Sequence, residues 1–250
     1  MANLFLGFPV PRAKIADMIA SDAPPSLHKT QHQDGGTDEM DVTGLVGAGG
    51  LTLPWDDLYF HILFESLTGY NNGLGGTGEI VCDGNGVALN TNLTAGSYAY
   101  LEKYLTHPFP TFNWAKTTKI KTRANFYNQT SVTGNYWLTV GGKDTTKHVG
   151  FKVVAGVLYG TVANGTTEST LALETLGTGA YLTDRVLQAI LTPGANCEFF
   201  VNGVSKGTIT TNLPTGTDSA PTIMHLYVEN PGVAQRKTLN VGVWSFYQEA

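Results

Sequence analysis

Two strand-like runs, residues 197–201 and 204–209, are separated by the dipeptide Asn202-Gly203. Asn-Gly takes the positive backbone angles of a two-residue turn whose twist matches that of paired strands, so this stretch predicts a β-hairpin. The same grammar recurs around it. Residues 149–154 and 157–162 flank Ala155-Gly156, Asn164-Gly165 marks a turn, and 185–191 leads into Pro193-Gly194. Residues 114–126, 135–140 (closed by Gly141-Gly142), 224–229 and 238–248 complete the set of predicted strands, with 79–82 and 97–105 upstream. The apolar run 58–67 fits a helix or a strand, and its aromatic residues favour a strand. Short strands with turns every ~8–12 residues build a sandwich or barrel and exclude a βαβ fold. Only 14% of residues are Asp, Glu, Lys or Arg, and 30 of 250 are Gly. Polarity therefore rests on Thr, Asn and Ser, a composition that suits strands and tight turns.

The expected fold is all-β, an antiparallel β-sandwich preceded by an extended N-terminal arm. Residues 1–50 form the arm, 51–105 a β-rich connecting region belonging to the sandwich, and 106–250 the sandwich core. Within the arm, 13–20 has the spacing for about two helical turns, ended by Asp22, Pro24 and Pro25. In the last strand, Leu239, Val241 and Val243 alternate onto one face and Trp244 and Phe246 onto the other. Apolar side chains on both faces predict a central strand.

Several functions are disfavoured. A net charge of −5 argues against a nucleic-acid partner, which wants a basic face. The dense basic stretch, Lys116, Lys119, Lys121 and Arg123, reads as a solvated strand face. No run approaches the ~20 apolar residues needed to cross a bilayer, so membrane insertion is not expected. The first ten residues lack a basic start and are broken by Pro9, so assembly in a cytoplasm is expected. Cys197 reads as a small buried hydrophobe, and two cysteines do not make a disulfide framework. Gly73-Leu74-Gly75-Gly76-Thr77-Gly78 satisfies GxGxxG, but with no strand before it and no helix after it reads as a loop. No ExDxE carboxylate pattern and no GxSxG occurs, and His61, His107, His148 and His225 are isolated. The chain therefore reads as non-catalytic, with no cofactor and no metal. His28 and His32, four apart, could share a metal, but Lys29 stands where a zinc protease has Glu.

Two resemblances add to this. The segment from His28 through His32, Asp34, Gly35, Gly36, Asp38 and Glu39, with the spacing HxxxHxxGGxDE, resembles a linker of bacteriophage tail-fibre and virion-associated proteins. It implies a virion location and a role as an accessory capsid (decoration or head-fibre) or tail-fibre subunit. It also implies a homotrimer, with major capsid or tail proteins as partners. Leu4, Phe5, Phe8, Ile15 and Ile19 would then anchor the arm by apolar burial. Second, Phe199-Phe200-Val201-Asn202-Gly203 resembles a hairpin of concanavalin-like and laminin-G-like jelly rolls, a resemblance that bears on fold. Lectins use that scaffold, so the alternative function is a carbohydrate- or receptor-binding module of a phage adhesin. Trp55, Trp114, Tyr127, Tyr136 and Trp137, the aromatics nearest polar loops, are the candidates to contact a host surface glycan, while most of them read as core or interface fillers.

Overall fold

A computed structural model describes residues 58–249 apart from 63, 65, 83–85, 105–111, 128–134, 177–183, 219–221 and 233–235. The chain divides into two units, Met1–Leu53 and Pro54–Ala250, and every described residue belongs to the second. The arm, its motif from His28 to Glu39, its five apolar anchors and Trp55 lie outside the described residues.

The described strands are β1 (Leu58–Ile62), β2 (Asn71–Gly75), β3 (Glu79–Cys82), β4 (Val87–Asn90), β5 (Ser97–Tyr104), β6 (Phe112–Asn113), β7 (Thr118–Tyr127), β8 (Asn135–Gly141) and β9 (His148–Val154). They continue as β10 (Val157–Ala163), β11 (Glu168–Thr175), β12 (Arg185–Thr192), β13 (Asn196–Val201), β14 (Val204–Ile209), β15 (Thr217–Asp218), β16 (Thr222–Asn230) and β17 (Thr238–Gln248). One eight-stranded sheet runs β14-β13-β12-β7-β17-β4-β3, with β1 also paired to β17. A seven-stranded sheet runs β11-β10-β9-β8-β16-β5-β2, and β15 pairs with β6. All of these pairings are antiparallel. The two large sheets pack face to face as a sandwich, as the strand pattern predicts.

Alternation along each strand sorts side chains between core and solvent. In β7 Ile120, Thr122 and Ala124 are buried while Lys119, Lys121 and Arg123 are exposed. Across the core, Phe151 of β9 meets Phe199 of β13 edge-on at 5.7 Å, and Phe126 of β7 meets Tyr136 of β8 at 5.5 Å. Trp244 of β17 donates its indole N–H to the Ile223 carbonyl of β16 (3.0 Å), fixing one sheet against the other. The hairpin turns form as the sequence requires: Ala155 and Gly156, and Asn202 and Gly203, all have positive φ.

Four expectations are corrected. Residues 71–75, read as loop, are strand β2, and the strands β4, β6, β11 and β15 were not foreseen. The predicted strand 114–126 starts later, because Trp114 sits in the turn between β6 and β7. Finally, β17 is central, but not because apolar residues cover both its faces. A β-bulge between Val241 and Val243 inserts Gly242 and resets the alternation. Leu239, Val241, Trp244 and Phe246 are therefore all buried on one face, while Val243 turns to the other.

Candidate functional site

The outer face of the seven-stranded sheet departs most from a plain solvated surface. In β5 the inward Ala99 and Leu101 alternate with outward Tyr98, Tyr100 and Glu102. In β16 inward Leu226 and Val228 alternate with outward His225, Tyr227 and Glu229. Register lays these side in rows. Tyr227 lies opposite Tyr100 on one side and Trp137 of β8 on the other, and Trp137 lies opposite Lys152 of β9. In the next row His225 lies between Glu102 and Thr139, and Asn71 of β2 lies opposite Glu102. The result is an aromatic row beside a polar one.

The aromatic row is packed in a defined way. Tyr98 stacks on Tyr100 at 6.4 Å and on Tyr227 at 6.0 Å, and Trp137 meets Tyr227 edge-on at 5.5 Å. The glycines of β2 make room for it. A Cβ at Gly73 would stand 2.4 Å from the Tyr100 ring, and one at Gly75 would stand 2.1 Å from the Tyr98 ring. The two tyrosines thus lie flat on bare backbone, which explains glycine inside a strand. Lys143, from the β8–β9 turn, places its ammonium 4.3 Å from the centre of the Tyr227 ring and 5.3 Å from that of Trp137.

The polar row is anchored by Glu102. Its carboxylate accepts hydrogen bonds from His225 Nδ1 (2.8 Å), Tyr104 Oη (2.6 Å) and Asn71 Nδ2 (2.7 Å). Burial alone would raise the Glu102 pKa. The three hydrogen bonds outweigh it and hold the carboxyl down at about 2. Burial, aided by Glu229, pushes the Tyr227 hydroxyl up to about 12, so it remains a donor at neutral pH. Further along the same face His148, Thr161, Glu168 and Lys152 form a second network.

Two buried polar atoms on this face have no hydrogen-bond partner: Trp137 Nε1 and His225 Nε2. Their residues are only 5% and 6% exposed. Such atoms cost about 1–3 kcal/mol each when left unpaired. The carboxylate of Glu102 requires the proton of a neutral His225 to sit on Nδ1, leaving Nε2 with a lone pair. Trp137 Nε1 can only donate. With His225 in that form the face holds one unused donor and one unused acceptor beside Tyr227. The chemistry they suit is recognition of hydroxyl groups, which donate and accept at once. Among the described residues no group of three or more His, Cys, Asp and Glu side chains is arranged to hold a metal ion.

Of the described aromatics expected to meet a glycan, Trp137 alone belongs to this face. Trp114 is fully buried and donates its indole N–H to Asp218 (2.6 Å). Tyr136 is fully buried and donates its hydroxyl to the Tyr127 carbonyl (3.1 Å). Neither can touch a ligand: Tyr136 faces inward in the alternation of β8, and Trp114 is turned into the core from the turn between β6 and β7. Tyr127 ends β7 in the opposite sheet and is half-buried. Sequence reasoning missed Tyr98, Tyr100, Glu102, His225 and Tyr227. The alternation Tyr98-Ala99-Tyr100-Leu101 carried a signal for the first two.

No protein-family model matches the chain, and no curated protein matches it in sequence. Solved structures do match in shape. A protein of unknown function from Shewanella oneidensis aligns at TM-score 0.54 and 11% identity, over 78% of this chain and 87% of that one. The fold they share is an antiparallel β-sandwich. The Emp46p carbohydrate recognition domain, in its potassium-bound form, aligns at TM-score 0.52 and 8% identity over 75% of this chain and 95% of that one. The binding domain of Paraclostridial Mosquitocidal Protein 1 aligns at TM-score 0.53 and 13% identity over 78% of this chain, which spans 49% of that domain. At these identities the likeness is one of fold.

Proposed function

We propose that the sandwich is a carbohydrate-binding module that takes a glycan on the outer face of its seven-stranded sheet. The observation that carries this is the pair of unpartnered buried atoms, Trp137 Nε1 and His225 Nε2, set around Tyr227 in an aromatic row. A sugar presents adjacent hydroxyls that satisfy one donor and one acceptor together, and apolar C–H faces that pack on aromatic rings. The fold suits the role: its neighbours include a carbohydrate recognition domain and the binding domain of a mosquitocidal protein by name.

Lys143 acts as a removable cover. Its ammonium lies over Trp137 and Tyr227 on a side chain that is 35% exposed. A cation–π contact at such a site is worth only about 0.5–1 kcal/mol, which a ligand can displace. No bond is broken in this reading, so bound glycan is recovered intact. The test is a glycan array followed by calorimetric titration of the best ligand. Trp137→Phe removes one N–H from the face and lowers affinity roughly tenfold, as loss of one buried donor should. Lys143→Ala raises it. Full affinity in Trp137→Phe refutes the site, and binding to no glycan refutes the function.

The proposed setting is a phage particle, with the arm joining the module to a virion as a homotrimer. The spacing from His28 to Glu39 supports this part alone. Light scattering of the full chain then gives the mass of a trimer, and a monomer refutes the assembly.

A further inference from the structure

The opposite face of the sandwich carries a second, differently built surface. Register across β12, β7 and β17 sets nine residues in three rows. Arg123 lies between Val186 and Val243, Lys121 between Gln188 and Ser245, and Lys119 between Ile190 and Tyr247. Each row thus has a cation at its centre. The Gly242 bulge creates this pattern, since without its reset Val243 would face the core with Val241. A cleft of about 460 Å³ opens over these rows. Same-face residues on a strand stand about 7 Å apart, so the three cations form a line about 13 Å long. Lys119 lies 5.0 Å from the centre of the Tyr247 ring, and Arg123 has Asp184 at 3.7 Å at one end of the line. That pair is more than half exposed on both sides, so solvent leaves Arg123 largely available.

We infer that this cleft binds an acidic polysaccharide, with carboxylates of an extended chain tracking Lys119, Lys121 and Arg123 along β7. Three aligned cations on a protein of net charge −5 are a local attraction set against a repelling background. A line of three suits a chain with repeated charges better than a single small anion. The Gln188 amide beside Lys121 can meet sugar hydroxyls. Nucleic acid fits less well: binding of single strands draws on stacking platforms, and Tyr247, the aromatic ring among these nine residues, is already under Lys119. The surface is independent of the aromatic face on the other sheet, and each face serves as the other's control.

The test uses the full chain and titrates it with sodium polygalacturonate, its methyl ester, and single-stranded DNA at low and physiological salt. Polygalacturonate should bind, weaken as salt rises, and lose roughly tenfold or more in the triple variant Lys119→Gln, Lys121→Gln, Arg123→Gln, from about three exposed charge pairs. Any binding of the neutral ester should be far weaker and unchanged in the triple variant. The triple variant should leave binding of a neutral glycan at the Trp137 face unchanged, which separates this cleft from the proposed sugar face. Thermal unfolding of the triple variant checks that the fold is intact, and the single variant Lys121→Glu, which reverses the central charge, should lose binding as well. Equal binding by the triple variant overturns the inference. So does binding of the neutral ester or of DNA at matching affinity, and so does no polygalacturonate binding at low salt.

Discussion

His148 offers a test of what controls protonation on the aromatic face. Its ring is fully buried, with Nδ1 donating to the Thr146 carbonyl (2.8 Å) and Nε2 2.9 Å from Thr161 Oγ1. Thr161 in turn can donate to Glu168 (2.7 Å). If His148 is neutral, the Thr161 hydroxyl has one proton for two acceptors, Nε2 and the carboxylate. If it is protonated, Nε2 donates to Thr161, Thr161 donates to Glu168, and every group is matched. Hydrogen bonding therefore favours the cation, while burial opposes it. Burial wins and holds the His148 pKa at about 4. Against an unfolded value near 6.5, the gap is about 2.5 pH units, or about 3 kcal/mol in all. The unfolded chain binds the extra proton between those values. The stabilisation is thus complete above about pH 6.5 and is lost as pH falls toward 4. Glu102 works the same way at lower pH, losing its contribution as pH drops through the ordinary carboxyl range toward about 2. A comparison of pH 7.5 with pH 4.5 therefore reads mainly the histidine. Between them His148 should account for about 2–3 kcal/mol, or roughly 1 M or more in urea midpoint. The assay is urea unfolding of the native chain and of His148→Gln at both pH values, the difference between the two proteins isolating this ring. An NMR titration giving His148 a pKa at or above 6.5 would refute the reasoning, because the hydrogen-bond chain would then outweigh burial.

Two further outcomes follow from glycine positions. Gly73→Ala and Gly75→Ala push a methyl group into the Tyr100 and Tyr98 rings. They should weaken glycan binding about tenfold by calorimetry at a stability cost of about 1 kcal/mol, since half-exposed rings can lift. A Cβ at Gly160 of β10 would stand 2.5 Å from the buried Phe199 ring, which touches Phe151 and cannot lift. Gly160→Ala should cost about 1–3 kcal/mol in urea unfolding, and Phe199→Leu in the same chain should recover part of that loss. An unchanged midpoint in Gly160→Ala alone would show that the core there is looser than drawn.

Strand content was legible because it is a local property. Asn202-Gly203 and Ala155-Gly156 specify their turns, and the alternation in β7 names its buried and exposed faces without reference to any other strand. Cys197 was correctly read as buried from its apolar neighbours alone. Where the sequence misled, a distant partner decided. Gly73 and Gly75 look like loop residues until the tyrosines of β5 are laid across them. Trp114 and Tyr136 stand beside polar loops in the sequence, and only the fold supplies the buried partner of each, Asp218 or the Tyr127 carbonyl. Val243 looks like a core residue until a one-residue bulge, fixed by pairing with β7, turns it outward beside Arg123. The candidate face is the extreme case. Tyr100, Tyr227 and Trp137 are scattered through the chain, and nothing in their local sequences joins them. Periodicity says which side of a strand a residue occupies, while register between strands far apart in sequence says what stands beside it. The first is written in each segment; the second exists only once the sheets have formed.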